Sequence, residues 1–260
     1  MDFVLQNALL SLLLFAAILF AVGLGRRTGA RRIAADPGAD RGGLGVIEGV
    51  VYALLGLVIA FAFNGAGERF LARRAQIGNE VNVIGTAYLR IDVLAPSIQP
   101  GMRELFRHYL DLRRQASRAI PDGPRVRAKL AEAAEVQAEM WRLAVGSTTP
   151  GVSSPTTMLF LPALNALIDE QTVAQVAMMQ HPPMAIEAVL LGLILLGSWF
   201  IGEAISGMRH PSKLHVYGMA LLLAVMFFLI RDLERPMVGL IRLDDAKWLV
   251  DDLQKMMAPR

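Results

Sequence analysis

Four stretches of this chain are apolar and long enough to cross a bilayer: Phe3–Leu24, Leu44–Phe63, Met184–Ile205 and Leu214–Ile230. A crossing helix needs about 20 mostly apolar residues, and inside hydrocarbon the backbone must satisfy its own polar groups. That requirement selects helices. No apolar–polar alternation runs long enough for a useful strand. The expected fold is therefore all-α: an integral membrane protein with four transmembrane helices and a helical soluble domain inserted between spans two and three. The first span has no basic residue before it and Arg26, Arg27, Arg31 and Arg32 soon after. That is the reverse of a secretory leader, so it reads as an uncleaved anchor.

Residues 1–64 are assigned to the first two spans, 65–182 to the soluble domain and 183–231 to the last two spans. Residues 232–260 form a C-terminal tail packing on the soluble domain. Residues 25–43, rich in Gly, Asp and Arg, read as a loop. SGMRHPSKLH, after span three, leaves room only for a tight helical hairpin. In the soluble part, helices are expected up to Pro96, over Met102–Leu110, from Asp122 to about Val145 and from Thr156 to Gln180, where His181-Pro-Pro183 stops the last. A short amphipathic helix is expected over 243–257.

The second span poses the sharpest question. Its apolar run meets Asn64-Gly-Ala-Gly67, and then an apolar stripe resumes at Phe70, Ile77, Val81, Ile84 and Tyr88. Those spacings of 7, 4, 3 and 4 mark one face of a helix. No proline intervenes. Span two is expected to leave the membrane and continue into the soluble domain as one helix over about 45–92. Gly65 and Gly67 are its hinge, at about 1 kcal/mol each.

Composition removes several function classes. The chain has no cysteine, which excludes a disulfide scaffold and a thiolate site. The four histidines make no HxxxH or HExxH pattern, so no metal site and no cofactor is expected. A net charge of +3, with scattered basic residues, argues against nucleic acid as a partner. The serines of the 147–155 loop lack a G-x-S-x-G setting. Asp169 and Glu170, adjacent on a helix, diverge by about 100°. An enzyme is not expected.

The first loop carries five arginines, and the third connection adds Arg209 and Lys213. The positive-inside rule puts these connections in the cytoplasm and the soluble domain on the opposite side of the membrane. Arg69, Arg73, Arg74, Arg231, Arg235, Arg242 and Lys247 weigh on the other side. The first helix, with cations only after it, decides the reading.

Val50, Leu54, Val58 and Phe61 share one face of span two. Around an axis of symmetry they would form apolar rings that gate by dewetting; otherwise the face packs on lipid or other spans. Gly45, Gly49, Ala53, Gly56 and Ala60 form a row of small residues that admits a close helix. Asn64, Arg69 and Arg73 follow the exit and would ring a pore mouth. Arg231, Asp232, Glu234 and Arg235, beside Pro236, form a dense cluster after span four. Together with Arg69–Arg74 and Glu80 they are expected to build a salt-bridged, structural collar.

The run Gly49-Val-Val-Tyr-Ala-Leu-Leu, then Phe61, Glu80, Ala87-Tyr-Leu-Arg90, Tyr109 and Asp232-Leu-Glu-Arg-Pro236-Met-Val-Gly239 resembles the bestrophin-like family of bacterial membrane proteins. The order and spacing of these motifs carry the resemblance over nearly the whole chain. A looser likeness, in topology and in one span, connects it with true bestrophins, which are pentameric anion channels with the second span around the pore and a cytosolic soluble part. The resemblance implies a homo-oligomeric ion channel of three or more copies, five by the bestrophin parallel. It implies a pore lined by span two, inorganic ions as cargo with anions weakly favoured, and a lipid bilayer as surroundings. The competing expectation is a non-conducting membrane sensor or scaffold whose helical domain binds a partner.

Overall fold

The computed structural model describes residues 3–36, 42–120, 122–148, 154–179, 183–243 and 247–258. The described residues are mostly helical, with no strand among them. Among the described residues eight α-helices follow in order: α1 (Phe3–Ala35), α2 (Gly42–Leu89), α3 (Gln99–Arg118), α4 (Gly123–Gly146), α5 (Leu161–Met179), α6 (Met184–Ala204), α7 (Lys213–Leu233) and α8 (Lys247–Met256). Among the described residues, α1, α2, α6 and α7 are the helices long and apolar enough to span a membrane. The chain divides into two compact units. One comprises Met1–Phe70 with His181–Ile241, the other Leu71–Gln180 with Arg242–Arg260.

In the first unit α1 packs along α6 and α7. Its buried stripe is Asn7, Ser11, Leu14, Ile18, Val22, Gly25 and Gly29, spaced by three and four as one helix face requires. The stripe is small or polar at both ends and branched in the middle. Leu14 and Ile18 meet Leu190, Ile194, Ala220 and Phe227 in a shared core. Farther along, the backbones touch. A Cβ on Gly25 would fall on the Trp199 carbonyl, and one on Gly202 would lie 2.9 Å from the Arg26 nitrogen. Trp199 Nε1 donates to Thr28 Oγ1 at 3.1 Å, and Thr28 Oγ1 donates to the Gly25 carbonyl at 3.0 Å. Close approach through small residues, with a hydroxyl as glue, is how spans associate where lipid removes the hydrophobic drive.

This contact corrects the sequence reading of residues 25–43 as a loop. α1 runs on to Ala35. Gly25 and Gly29 sit inside the helix because α6 needs the room, and Arg and Ala around them are good helix formers. The rest of that connection, 37–41, lies outside the described residues, as do 149–153 of the expected 147–155 loop and the expected stop at 180–182.

α2 is continuous over 48 residues, about 72 Å at 1.5 Å per residue. Asn64 to Gly67 are helical. The α-helix gives way to a 3-10 turn over Arg90–Val93, short of Pro96.

The second unit closes around Ile84, Ala87, Tyr88, Met102, Phe106, Tyr109, Met140, Phe160 and Leu164. Full burial of each large side chain contributes roughly 2 kcal/mol. Asp122 caps α4, its Oδ1 accepting from Arg125 N at 3.2 Å, with Pro124 in the first turn. α5 is entered through a π-helical turn, Thr156–Phe160. The Leu159 carbonyl accepts from Arg90 Nη1 at 2.9 Å, which satisfies it away from the regular ladder. Leu253 of the tail helix α8 and Met257 just after it complete this core, and residues 244–246 of the expected tail helix lie outside the described residues.

Candidate functional site

The membrane half of α2 is the least enclosed of the four spans. Only 6% of its most apolar window is buried within the chain, against 28% for α1. Advancing about 100° per residue, its positions divide into three faces roughly 120° apart. One faces the bundle: Leu55 and Ala66 are buried, with Val58, Ile59 and Ala62 packed beside them. Tyr52 ties this side to α6, its hydroxyl donating to the Gly197 carbonyl at 3.3 Å.

The other two faces are open. Val50, Leu54 and Phe61 are 55%, 46% and 68% exposed, and Val58 is half-buried at the edge of the bundle. Gly45, Gly49 and Gly56 would each accept a Cβ without contact, and Ala53 and Ala60 are exposed. The row of small residues therefore meets no close helix within the described chain. The close approach that such residues permit occurs instead between α1 and α6.

The expected mouth residues have separate fates. Asn64 is exposed and donates through Nδ2 to Glu68 Oε1 at 2.8 Å, one turn on. Arg69 folds back over Gly65, where a Cβ would lie 3.1 Å from its Nη1. Its Nε donates to Glu234 Oε1 at 2.9 Å, and Nη2 reaches the same oxygen. Gly65 thus makes space for this arginine. Gly67 meets nothing. Arg73 is buried, at 8% exposure.

The expected collar divides. Its α7 end is a built turn. Asp232 is fully buried, and its two carboxylate oxygens accept from Leu240 N at 2.7 Å and Ile241 N at 2.8 Å. Gly239 N donates to the Arg235 carbonyl at 2.8 Å. A Cβ on Gly239 would lie 2.8 Å from Asp232 Oδ1 and 3.0 Å from the Arg235 carbonyl, so this position requires glycine. Pro236 follows Arg235 in the turn and needs no amide donor there. The Arg235 guanidinium lies over the Phe3 ring at 5.6 Å. Arg231 pairs with Glu187.

Glu80 belongs to the other unit. It accepts from Arg113 Nε at 2.6 Å. Burial disfavours the Arg113 cation, but the Glu80 carboxylate more than offsets this and raises its pKa. Beside the pair, Gln137 Nε2 donates to the Tyr109 hydroxyl at 3.3 Å, and that hydroxyl reaches Gln171 Oε1 at 3.5 Å. Burial pushes the Tyr109 phenol well above its ordinary range, Arg113 works against this, and Glu80 adds to it. Gln76 donates to Glu170 at 2.6 Å. The sequence reading missed Arg113, Gln137 and Gln171 as partners. Nothing in their local spacing marks them, because each contact joins residues far apart in the chain.

No cluster of His, Asp or Glu suited to a metal ion occurs among the described residues. The arrangement holds instead a long, weakly enclosed apolar helix, with its exit fixed by ion pairs and a capped turn.

A family model described as a bestrophin-like domain matches residues 11–247. No curated protein matches the sequence. Among solved structures, a crystal structure of a bacterial bestrophin homologue from Klebsiella pneumoniae, carrying a point mutation, superposes with a TM-score of 0.63 at 15% identity, covering 94% of this chain and 98% of that one. A second mutant of the Klebsiella homologue gives 0.61 at 14% identity, covering 94% and 97%. A crystal structure described as a membrane protein gives 0.62 at 12% identity, again covering 94% and 97%. At such identities the likeness is one of fold. The family match spans most of the sequence and reaches all four apolar helices, and on that basis the chain belongs to the bestrophin-like family.

Proposed function

We propose that the protein is an oligomeric ion channel of the bestrophin-like type, with α2 around the pore. The observation that carries this reading is the pair of open faces on α2. A ring of three or more copies, five by the bestrophin parallel, needs each pore helix to present one face to its own bundle, one to its neighbour and one to the axis. The Gly45–Ala60 row suits a neighbouring helix. Val50, Leu54, Val58 and Phe61 suit a dewetted constriction. The residues from 71 to 180, with the tail, then form the soluble domain, inserted between spans two and three.

Anions are favoured only weakly, because Glu234 matches the Arg69 cation at the exit. The membrane is a bacterial inner membrane. The exposed cations at the far end of α1 favour a periplasmic soluble domain under the positive-inside rule. The bestrophin parallel favours a cytosolic one. Protease accessibility of the 147–155 loop in intact spheroplasts decides between them: cleavage from outside supports the periplasmic arrangement, and protection overturns it.

The test of conduction is planar-bilayer recording of purified protein whose oligomeric state has been measured. The expected result is a conductance that rises in Leu54→Ala. A defined oligomer that stays silent across voltage and pH would sink the proposal and leave the sensor or scaffold reading.

A further inference from the structure

The two ends of the four-span unit handle their arginines differently. At the α7 exit, Arg69 is matched by Glu234, Arg231 by Glu187, and Arg235 lies on an aromatic ring. At the other end Arg26, Arg27, Arg31, Arg32, Arg209 and Lys213 are all exposed. Of these, Arg32 approaches Glu203 at 3.6 Å. Among the described residues none of the other five has a carboxylate within ion-pair distance. Asp36, Glu48 and Glu203 are the described carboxylates of this end, half as many as its cations.

The depth of these cations follows from the fold. The apolar part of α1, Phe3–Leu24, spans about 33 Å, against a hydrocarbon core of about 30 Å. Arg26 and Arg27 emerge within the next turn, and Arg31 and Arg32 one turn farther. Trp199, hydrogen-bonded to Thr28, stands at the same level, where indoles collect at membrane interfaces. Gly29 abuts Ser206, which brings the α6–α7 turn, with Arg209 and Lys213, to this level. The backbone contact of Gly25 and Gly202 holds the α1 extension against α6, so the guanidinium groups project from a fixed platform.

We infer that this end of the unit is a binding surface for anionic phospholipid headgroups, made by Arg26, Arg27 and Arg31 of α1 with Arg209 and Lys213 of the α6–α7 turn. Guanidinium forks bind phosphate oxygens in a bidentate manner. A zwitterionic headgroup cancels the attraction with its own cation, whereas phosphatidylglycerol does not. The inference rests on the four helices crossing a bilayer and is independent of conduction.

The test uses the full chain in detergent, equilibrated with equal amounts of phosphatidylglycerol and phosphatidylcholine, with bound lipid counted by native mass spectrometry. The wild type should retain phosphatidylglycerol at least tenfold over phosphatidylcholine. Each cation near a headgroup surface is worth roughly fivefold in binding. The combined Arg27→Gln, Arg31→Gln and Arg209→Gln variant should therefore lose at least tenfold of its phosphatidylglycerol and keep its phosphatidylcholine. The matching Lys variants should keep most of it, and Arg74→Gln should behave as wild type. Equal retention of the two lipids by the wild type, or no loss in the triple Gln variant, overturns the inference. Displacement of phosphatidylglycerol by millimolar inorganic phosphate would assign the surface to a free anion and overturn the lipid source. These readouts are separate from current recordings, so a silent but lipid-selective protein refutes the channel alone.

Discussion

The guanidinium of Arg69 on α2 holds the carboxylate of Glu234 in the turn after α7, with Nε 2.9 Å from Oε1. The acid is nearly enclosed and the base partly exposed. This is the charged fastening between the exit of the candidate pore helix and the rest of its bundle. Removing the base takes the guanidinium away from a nearly buried carboxylate, so Arg69→Ala should lower stability by about 2 kcal/mol, read by thermal melting in detergent. Glu234→Gln should keep the fold and leave a net cation at the exit. Its reversal potential in a potassium chloride gradient should move toward the chloride value.

The Asp232 turn makes a second case. Asp232→Ala leaves the Leu240 and Ile241 amides without their acceptor and should cost about 3 kcal/mol. Gly239→Ala forces a Cβ onto backbone and carboxylate atoms that cannot move aside, and should cost a similar amount. Both are read as lowered melting temperature. Pro236→Ala removes a ring that closes no hydrogen bond and should cost under about 1 kcal/mol.

The open faces of α2 separate by substitution. Leu54→Ala and Phe61→Ala remove apolar bulk from the candidate constriction and should raise conductance several-fold without changing the oligomer. Gly49→Leu and Gly56→Leu fill the row of small residues and should break the oligomer, seen as a shift in light-scattering mass. Neither position meets anything within the chain, so the single subunit should still fold.

Much of this was readable from the sequence, for reasons specific to each element. α2 was legible because nothing interrupts it and because Ile84 and Tyr88, at helical spacing, do reach the second core. The α1 extension was not. Gly, Thr and Arg after an apolar run look like a loop until α6 is known to lie against them. The rule that small residues invite a close helix was sound, but local sequence could not say which glycines would be met within the chain. Gly25 and Gly202 are; Gly45, Gly49 and Gly56 are not. Glu80 found its cation in Arg113, 33 residues on, and the Tyr109, Gln137 and Gln171 chain joins three helices. Such pairings are products of packing and leave no local trace.

That buried chain gives a prediction in pH. Tyr109 has its pKa raised from the ordinary 10.0 in the folded state, chiefly by burial. Its contribution is fully present below pH 10. As pH climbs past 10 the unfolded chain gives up this proton and the folded one keeps it, so stability falls by up to about 1.4 kcal/mol per pH unit. Tyr109→Phe should flatten this alkaline limb. At neutral pH it should cost about 1–3 kcal/mol through the stranded Gln137 and Gln171. Chemical denaturation at pH 8, 10 and 11 checks both.

The backbone seam between α1 and α6 has a mechanical consequence. Gly25 and Gly202 leave no slack: a single added methyl on either would strike main-chain atoms of the other helix. Two helices engaged in this way cannot slide or roll past one another without parting, so they travel as one body. α2, enclosed over so little of its apolar length, has no such engagement. The α1–α6 pair is therefore the rigid part of the unit, and α2 is joined to its bundle through side chains, such as Tyr52 and Arg69, rather than through backbone contact.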